Sequence, residues 1–298
     1  MPELLSHEEI RMMLPPRPQD GHKGAFGHLF VLAGSRGFTG AAKLTCDAAM
    51  RSGVGLVTAG VPAPLADALA AALVEPMLLP LPATDTATTA FEALDAIQAF
   101  IQDKSAMVIG PGLSRHPSTM RLARRLVQAR SLPLLADADA LNAFAAHRQR
   151  LTPRDAAANE NAVFTPHPGE MARLTGLTTK EIQQDRAGVA AKYAALWRVV
   201  VALKGAGTVI AAPDGRIRQC PTGNSGMATG GSGDVLSGVI GALLAQGLDA
   251  FNAACAGVYA HGLAGDIAAR DKTERALIAR DIIDALPQAW RDIEATAP

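Results

Sequence analysis

Cysteine is scarce in this 298-residue chain: Cys46, Cys220 and Cys255 are scattered, odd in number and show no metal-ligand spacing. Their pattern excludes a disulfide framework and a paired-cysteine zinc cage, and it makes a reducing cytoplasm the expected setting. Net charge is absent too. Lysine plus arginine equals aspartate plus glutamate at 28 each, so no long-range field draws the molecule to nucleic acid or an anionic membrane. Any anion it binds must be held locally. The start, MPELLSHEEIRMMLPP, lacks a basic segment leading into an apolar run, which argues against a signal peptide; Ser6 and Glu9 instead read as a helix capping box. The longest helical apolar stretch, Val235 to Ala245, is about half of the roughly 20 residues that cross a bilayer. Two phosphate signatures are also missing. In GSRGFTGAAK, Lys43 does not directly follow a glycine as a P-loop requires, and GVGLVT lacks the last glycine of a dinucleotide fingerprint.

What is present is a globular pattern, with 49% hydrophobic and 19% charged residues, too apolar for a disordered chain. The runs HLFVLAG, GLVTAGV, MLLPL, AMVIG, LPLLADAD, AVFTP and RVVVALKG each precede a loop and a longer alanine-rich segment. Apolar at nearly every position, they suit strands buried on both faces, and the alternation predicts an α/β fold with a mainly parallel sheet between helices. GTVIAAPDGRIRQC predicts a hairpin turning at Pro213, Asp214 and Gly215 at the sheet edge. Thr84 to Thr89 reads as a loop leading into a helix, and helices dominate after Ser232. No repeat or long polar linker divides the chain, so residues 1–298 are expected to form one domain.

The densest signal is TGNSGMATGGSGDVLSGVIGALLAQG, residues 222–247. Gly230, Gly231 and Gly233 allow close backbone approach directly before a helix, whose first amides and positive dipole end make an anion hole. Asp234 in that place repels an anion unless it has its own task. Proton transfer and simple helix capping both account for it.

Other loops follow strand ends, where ligands of open α/β sheets collect. GPGLSR follows AMVIG. In LLADADALN, Asp137 and Asp139 are expected to point the same way on an extended chain end; Asp139 reads as a helix cap, and Asp137 stays open as a metal-water or phosphate contact. FTPHPGE sets Thr165, His167 and Glu170 in a proline-fixed loop, where His167 suits a substrate contact. Glu170 suits either a hydrated magnesium ion or the first turn of a helix. Lys204 in ALKGAGTVIA suits a phosphate contact or a solvated turn. Thr39 opens a helix behind a glycine loop. His22 and Lys23 read as exposed polar residues, and His261 as a packed or capping histidine. Five such loops at successive strand ends describe one crevice.

Taken together, GSRGFTGAAKLTCDAAMRSGVGLVT, GPGL, LLADADALN, FTPHPGE, LKGAGT and GNSGMATGGSGDVLSG resemble the ADP-dependent NAD(P)H-hydrate dehydratases of the ribokinase-like superfamily, from about Lys23 to Gly262. The GGSGD element is shared across that superfamily, whereas HPGE with the GSRGFTGAA loop marks the dehydratases; vitamin kinases carry asparagine where His167 stands. The resemblance implies a three-layer αβα sandwich and repair of hydrated NADH and NADPH, with ADP as phosphoryl donor and AMP and phosphate released. It implies Asp234 as the base, Gly231, Ser232 and Gly233 as the anion hole, and Lys204, Gly205, Ala206, Gly207 and Thr208 with Gly233 around the nucleotide. Ala41, Gly112, His167 and Asp234 would line the substrate site, and Glu170 would hold Mg2+ through water, with Asp137 beside it. Many members carry an epimerase domain ahead of this one. About two dozen residues precede Lys23, so the expectation is a separate epimerase as partner, and a homotetramer by likeness to bacterial members. The competing readings are a ribokinase-like vitamin kinase, which leaves a stable phosphorylated product, and a nucleotide sensor that binds without turnover.

Overall fold

Side chains along each apolar run divide alternately between two buried layers. Along His28–Leu32, Leu29 and Val31 enter one core while Phe30 and Leu32 enter the other. Along Ala106–Ile109, Ala106 and Val108 oppose Met107 and Ile109 in the same way. A strand has a period of two, so a run apolar at every position must be covered on both sides.

The computed structural model describes residues 2–148, 151 and 161–295. Its strands are β1 (Glu3–Leu4), β2 (His28–Leu32), β3 (Leu56–Pro62), β4 (Met77–Leu81), β5 (Ala106–Ile109), β6 (Leu134–Ala136), β7 (Ala162–Phe164), β8 (Val200–Leu203), β9 (Val209–Ala211) and β10 (Ile217–Gln219). They form one ten-stranded sheet in the order β1-β10-β9-β8-β7-β6-β5-β2-β3-β4. From β4 through β8 every pairing is parallel; β9 and β10 form the expected antiparallel hairpin. The hairpin is not the edge, however. β1 pairs parallel to β10 outside it, held by a two-residue segment too short to show a hydrophobic pattern.

The helices are α1 (His7–Met13), α2 (Thr39–Met50), α3 (Ala66–Ala70), α4 (Leu94–Phe100), α5 (Pro117–Ala129), α6 (Ala138–Asn142), α7 (Pro168–Thr175), α8 (Thr179–Gln184), α9 (Arg186–Trp197), α10 (Ser232–Ala245), α11 (Ala250–Lys272) and α12 (Ala279–Glu294). α2, α10 and α11 pack on one face of the sheet, with α12 outside them; α4 to α9 cover the other. Val235 through Ala245 are all buried, which is why that run is apolar on every side of the helix. The Ser6–Glu9 capping box forms with both of its bonds, 3.2 and 3.0 Å. All three cysteines are free and buried. Among the described residues no helix is long and apolar enough to cross a membrane.

The chain leaves β2 toward β3 and β4 on one side, then returns through β5 on the other. The helices that follow β2 and β5, α2 and α5, therefore lie on opposite faces of the sheet, and the carboxyl ends of these two strands mark the point of strand-order reversal where open α/β sheets form a ligand crevice.

Candidate active site

α10 begins beneath that crevice, and no side chain caps it. Its N-cap residue is Gly231, with φ 93°, and a β-carbon there would come 2.5 Å from Leu44 Cδ1. Only glycine fits this turn, and with no side-chain cap the first amide, Ser232 N, makes just a long 3.4 Å bond to Thr229 O. Asp234 stands inside the first turn and not at the cap. Burial, reinforced by the charge of Asp137 and opposed by Lys204, pushes its carboxyl up from 3.8 to about 7. The Asp234 carbonyl accepts from Thr45 Oγ1 at 3.1 Å, which fixes α2 against α10.

The cap of α6 corrects one expectation. Asp137, not Asp139, is its N-cap residue, and the Asp137 side chain makes no cap bond. It accepts instead from Lys204 Nζ at 2.7 Å and from Ser237 Oγ at 3.0 Å. The two aspartates do not point the same way, because Ala138 takes a left-handed φ of 48° and bends the chain between them. Asp139 turns to Ser114 N at 2.9 Å and Asn142 Nδ2 at 3.2 Å, with Arg115 at 3.8 Å.

Lys204 is neither a solvated turn residue nor an unpaired cation. Its ammonium lies 2.7 Å from Asp137 and 3.9 Å from Glu170. Burial alone would lower its pKa, but Asp137, Glu170 and Asp234 together hold it above the ordinary lysine value. A β-carbon on Gly233 would come 3.4 Å from Lys204 Nζ and 3.7 Å from Asp137 Oδ2. The ion pair therefore sits against the start of α10.

His167 and Glu170 cap α7 reciprocally. His167 Nδ1 accepts from Gly169 N at 3.0 Å and Glu170 N at 3.4 Å, while Glu170 Oε2 accepts from His167 N at 2.9 Å. Two donors aimed at Nδ1 assign the ring proton to Nε2. Burial and the Lys204 charge lower the His167 pKa, which keeps the ring neutral in this role. Burial pushes Glu170 up to about 7 against the pull of Lys204. Both readings of Glu170 thus remain compatible: it stabilises the first turn and also faces the acidic cluster.

Across α2, Gly112 lies against Ala41, since a β-carbon at 112 would come 2.8 Å from Ala41 Cβ. Ser35 Oγ donates to Gly112 O at 2.7 Å and joins the two loops of the crevice. Ala41 and Thr45 are four residues apart on α2 and share a face, so the Ala41–Gly112 wall continues toward Asp234. Lys204 N donates to Pro166 O at 2.9 Å, which seats the segment Gly205–Thr208 next to the His167 loop.

Thr165 is buried and its hydroxyl turns to Ala136 O at 3.5 Å, a link between strands. His22 and Lys23 are exposed. His261 is packed inside α11, 3.4 Å from Ser232 Oγ, and burial lowers its pKa to about 4. Sequence reasoning missed Ser237, which orients Asp137 but reads as one more small residue of a buried helix. It also missed Arg186, whose guanidinium donates to Ala206 O and Leu203 O beside Lys204. A cavity of about 410 Å³ lies elsewhere, lined by Pro15, Arg17, Phe26, Arg51, Gln246 and Trp290 at the far ends of α2 and α10. None of the candidate residues lines it.

The mainly parallel ten-stranded sheet, covered by helices on both faces, places the chain in the ribokinase-like class of α/β proteins. The match to a family model described as NAD(P)H-hydrate dehydratase spans residues 29–288, and the chain belongs to that family. It is 47% identical over 98% of its length to the bifunctional NAD(P)H-hydrate repair enzyme Nnr of Moorella thermoacetica, 54% of which is covered. It is 42% identical to the ADP-dependent (S)-NAD(P)H-hydrate dehydratase of Neisseria meningitidis serogroup B, over 84% of this chain and 80% of that protein. The ADP/ATP-dependent NAD(P)H-hydrate dehydratase of Bacillus subtilis, co-crystallised with ATP and Mg2+, superposes with a TM-score of 0.84 at 32% identity, covering 98% and 99% of the two chains. The chain spans about half the length of the bifunctional relatives it matches.

Proposed function

We propose that the chain catalyses ADP-dependent dehydration of (6S)-NADHX and (6S)-NADPHX, restoring NADH and NADPH and releasing AMP and phosphate. The observation that carries this reading is Asp234. Its carboxyl is raised to about 7 and stands in the first turn of a helix that no side chain caps. A base works best when its pKa lies near the working pH, and an open helix start stabilises charge on a transferring phosphoryl group.

In this mechanism Asp234 accepts the proton of the ring hydroxyl as the hydroxyl oxygen bonds to the terminal phosphorus of ADP. The bond from that phosphorus to the bridging oxygen breaks, and AMP departs. Phosphate then leaves the ring with its bonding electrons while the ring nitrogen donates its lone pair. Loss of a proton from the adjacent carbon restores the reduced nicotinamide. Hydroxide is a poor leaving group near neutral pH, and esterification removes that barrier. Gly231, Ser232 and Gly233 hold the transferring group; Lys204 supplies positive charge beside it; Gly205, Ala206, Gly207 and Thr208 carry the nucleotide. Ala41, Gly112 and the Nε2–H of His167 position the hydrated ring.

The donor set suits magnesium that keeps part of its water shell. Glu170 and Asp137 offer carboxylate oxygens, and no group of three histidine, cysteine or acidic side chains among the described residues is arranged as a cage. Magnesium is ordinarily held by one or two carboxylates together with phosphates and waters. Bound there through water, it would neutralise charge on the nucleotide phosphates. A working partnership with a separate NAD(P)H-hydrate epimerase follows from the family resemblance, and relatives about twice as long that are named bifunctional NAD(P)H-hydrate repair enzymes are in keeping with a second repair activity; the buried free cysteines suit a reducing cytoplasm. The test is incubation with freshly hydrated NADH, ADP and magnesium while absorbance is followed. Recovery of reduced nicotinamide that depends on ADP supports the proposal; a stable phosphorylated product would favour the vitamin-kinase reading.

A further inference from the structure

Arg186 stands in a place that is electrostatically unfavourable for it. As the first residue of α9, directly after the N-cap Asp185, its cation meets the positive end of the helix dipole. Burial lowers its pKa, and its Nε is enclosed without a hydrogen-bond partner. Three unfavourable terms at one side chain call for a compensating interaction. The compensation is specific: Nη1 donates to Ala206 O at 2.6 Å and Nη2 donates to Leu203 O at 2.7 Å. Both acceptors lie on the segment that carries Lys204, one at each side of it. The guanidinium also lies 3.0 to 3.5 Å from where a β-carbon on Gly205 would stand, so it lies against the back of that turn.

The backbone it grips is unusual. Gly205 has φ 146° and Gly207 has φ 64°, conformations that intrinsic preference does not select over others available to glycine. A planar, doubly donating guanidinium can fix two carbonyls at once, which an ammonium cannot. We infer that Arg186 is a positioning residue for the nucleotide: it holds the Leu203–Ala206 turn in the shape that receives ADP, without touching the reacting atoms. This inference rests on the proposed function for the identity of the ligand.

The test is calorimetric binding of ADP and of AMP to the wild type, Arg186→Ala and Arg186→Lys, with steady-state kinetics beside it. Loss of two charge-assisted bonds that order a binding loop is expected to weaken ADP binding about tenfold or more in Arg186→Ala. The KM for ADP should rise in parallel, while the KM for hydrated NADH stays within about twofold, because Ala41, Gly112 and His167 belong to other loops. Arg186→Lys should recover part of the ADP affinity at most. Thermal unfolding of each variant separates a folding defect from a binding one: a variant folded at assay temperature with unchanged ADP affinity overturns the inference, as does an equal rise in both KM values. If Arg186→Ala does not fold, Arg186→Lys carries the same decision. A wild-type protein that binds no ADP overturns the proposed function itself, and with it this inference.

Discussion

Replacing Asp234 by asparagine should remove activity and add stability, and the two effects have one cause. The carboxyl is moved from 3.8 to about 7 chiefly by burial. At 1.36 kcal/mol per pH unit, that interval bounds the penalty on the ionised form at ~4 kcal/mol; residual solvent around a half-buried group reduces it to about 2 kcal/mol. Because the folded-state pKa is raised, the favourable contribution of Asp234 is complete below 3.8 and is lost as pH rises through about 7. At pH 8 the wild type bears the penalty and the asparagine variant does not. Denaturant titrations of the two proteins should therefore coincide near pH 4 and separate by about 2 kcal/mol at pH 8, the variant being more stable. Removal of a general base should lower kcat by about 10²- to 10⁴-fold, and the wild-type kcat/KM should climb with pH and level off above about 7. A variant that keeps its turnover, or that loses stability at pH 8, would refute the placement of this carboxylate as a desolvated base.

Other consequences follow from the same cluster. Lys204→Met leaves Asp137 buried without its cation, so stability measured by urea unfolding should fall by about 3 kcal/mol and ADP binding should weaken. Gly231→Ala forces a side chain into a turn at φ 93° against Leu44; a loss of about 1–3 kcal/mol and a fall in kcat are expected from unfolding and kinetic assays. His167→Asn keeps a good N-cap acceptor for α7, so its unfolding midpoint should move little, within about 0.5 kcal/mol of wild type. Its KM for hydrated NADH should rise, since the Nε2–H is gone. A large stability loss in that variant would mean that the ring matters for packing rather than for substrate.

Most of the sheet was legible because strands buried on two faces leave unbroken apolar runs, and all seven runs became strands. α10 was legible for the related reason that a fully enclosed helix must be apolar all round. The failures share another origin. β1 is held by pairing to β10 across some two hundred residues of chain, and a two-residue segment carries no period. The shared orientation expected of Asp137 and Asp139 assumed an extended backbone, whereas Ala138 takes a left-handed bend that alanine does not advertise. The types of residue in the site could be named from their loops, but their partners could not. That Lys204 would turn to Asp137, that Ser237 would orient the same carboxylate and that Arg186 would grip the turn around Lys204 all depend on contacts between distant segments. Spacing along the chain records none of these.

The most direct measurement is a phosphorus NMR time course of the wild-type protein with hydrated NADH, ADP and magnesium, read alongside the absorbance of reduced nicotinamide. The expected result is AMP, inorganic phosphate and NADH appearing in equal amounts, with no phosphorylated ring persisting. A lasting phosphate ester on the substrate, or release of phosphate from ADP without recovery of NADH, would contradict the account.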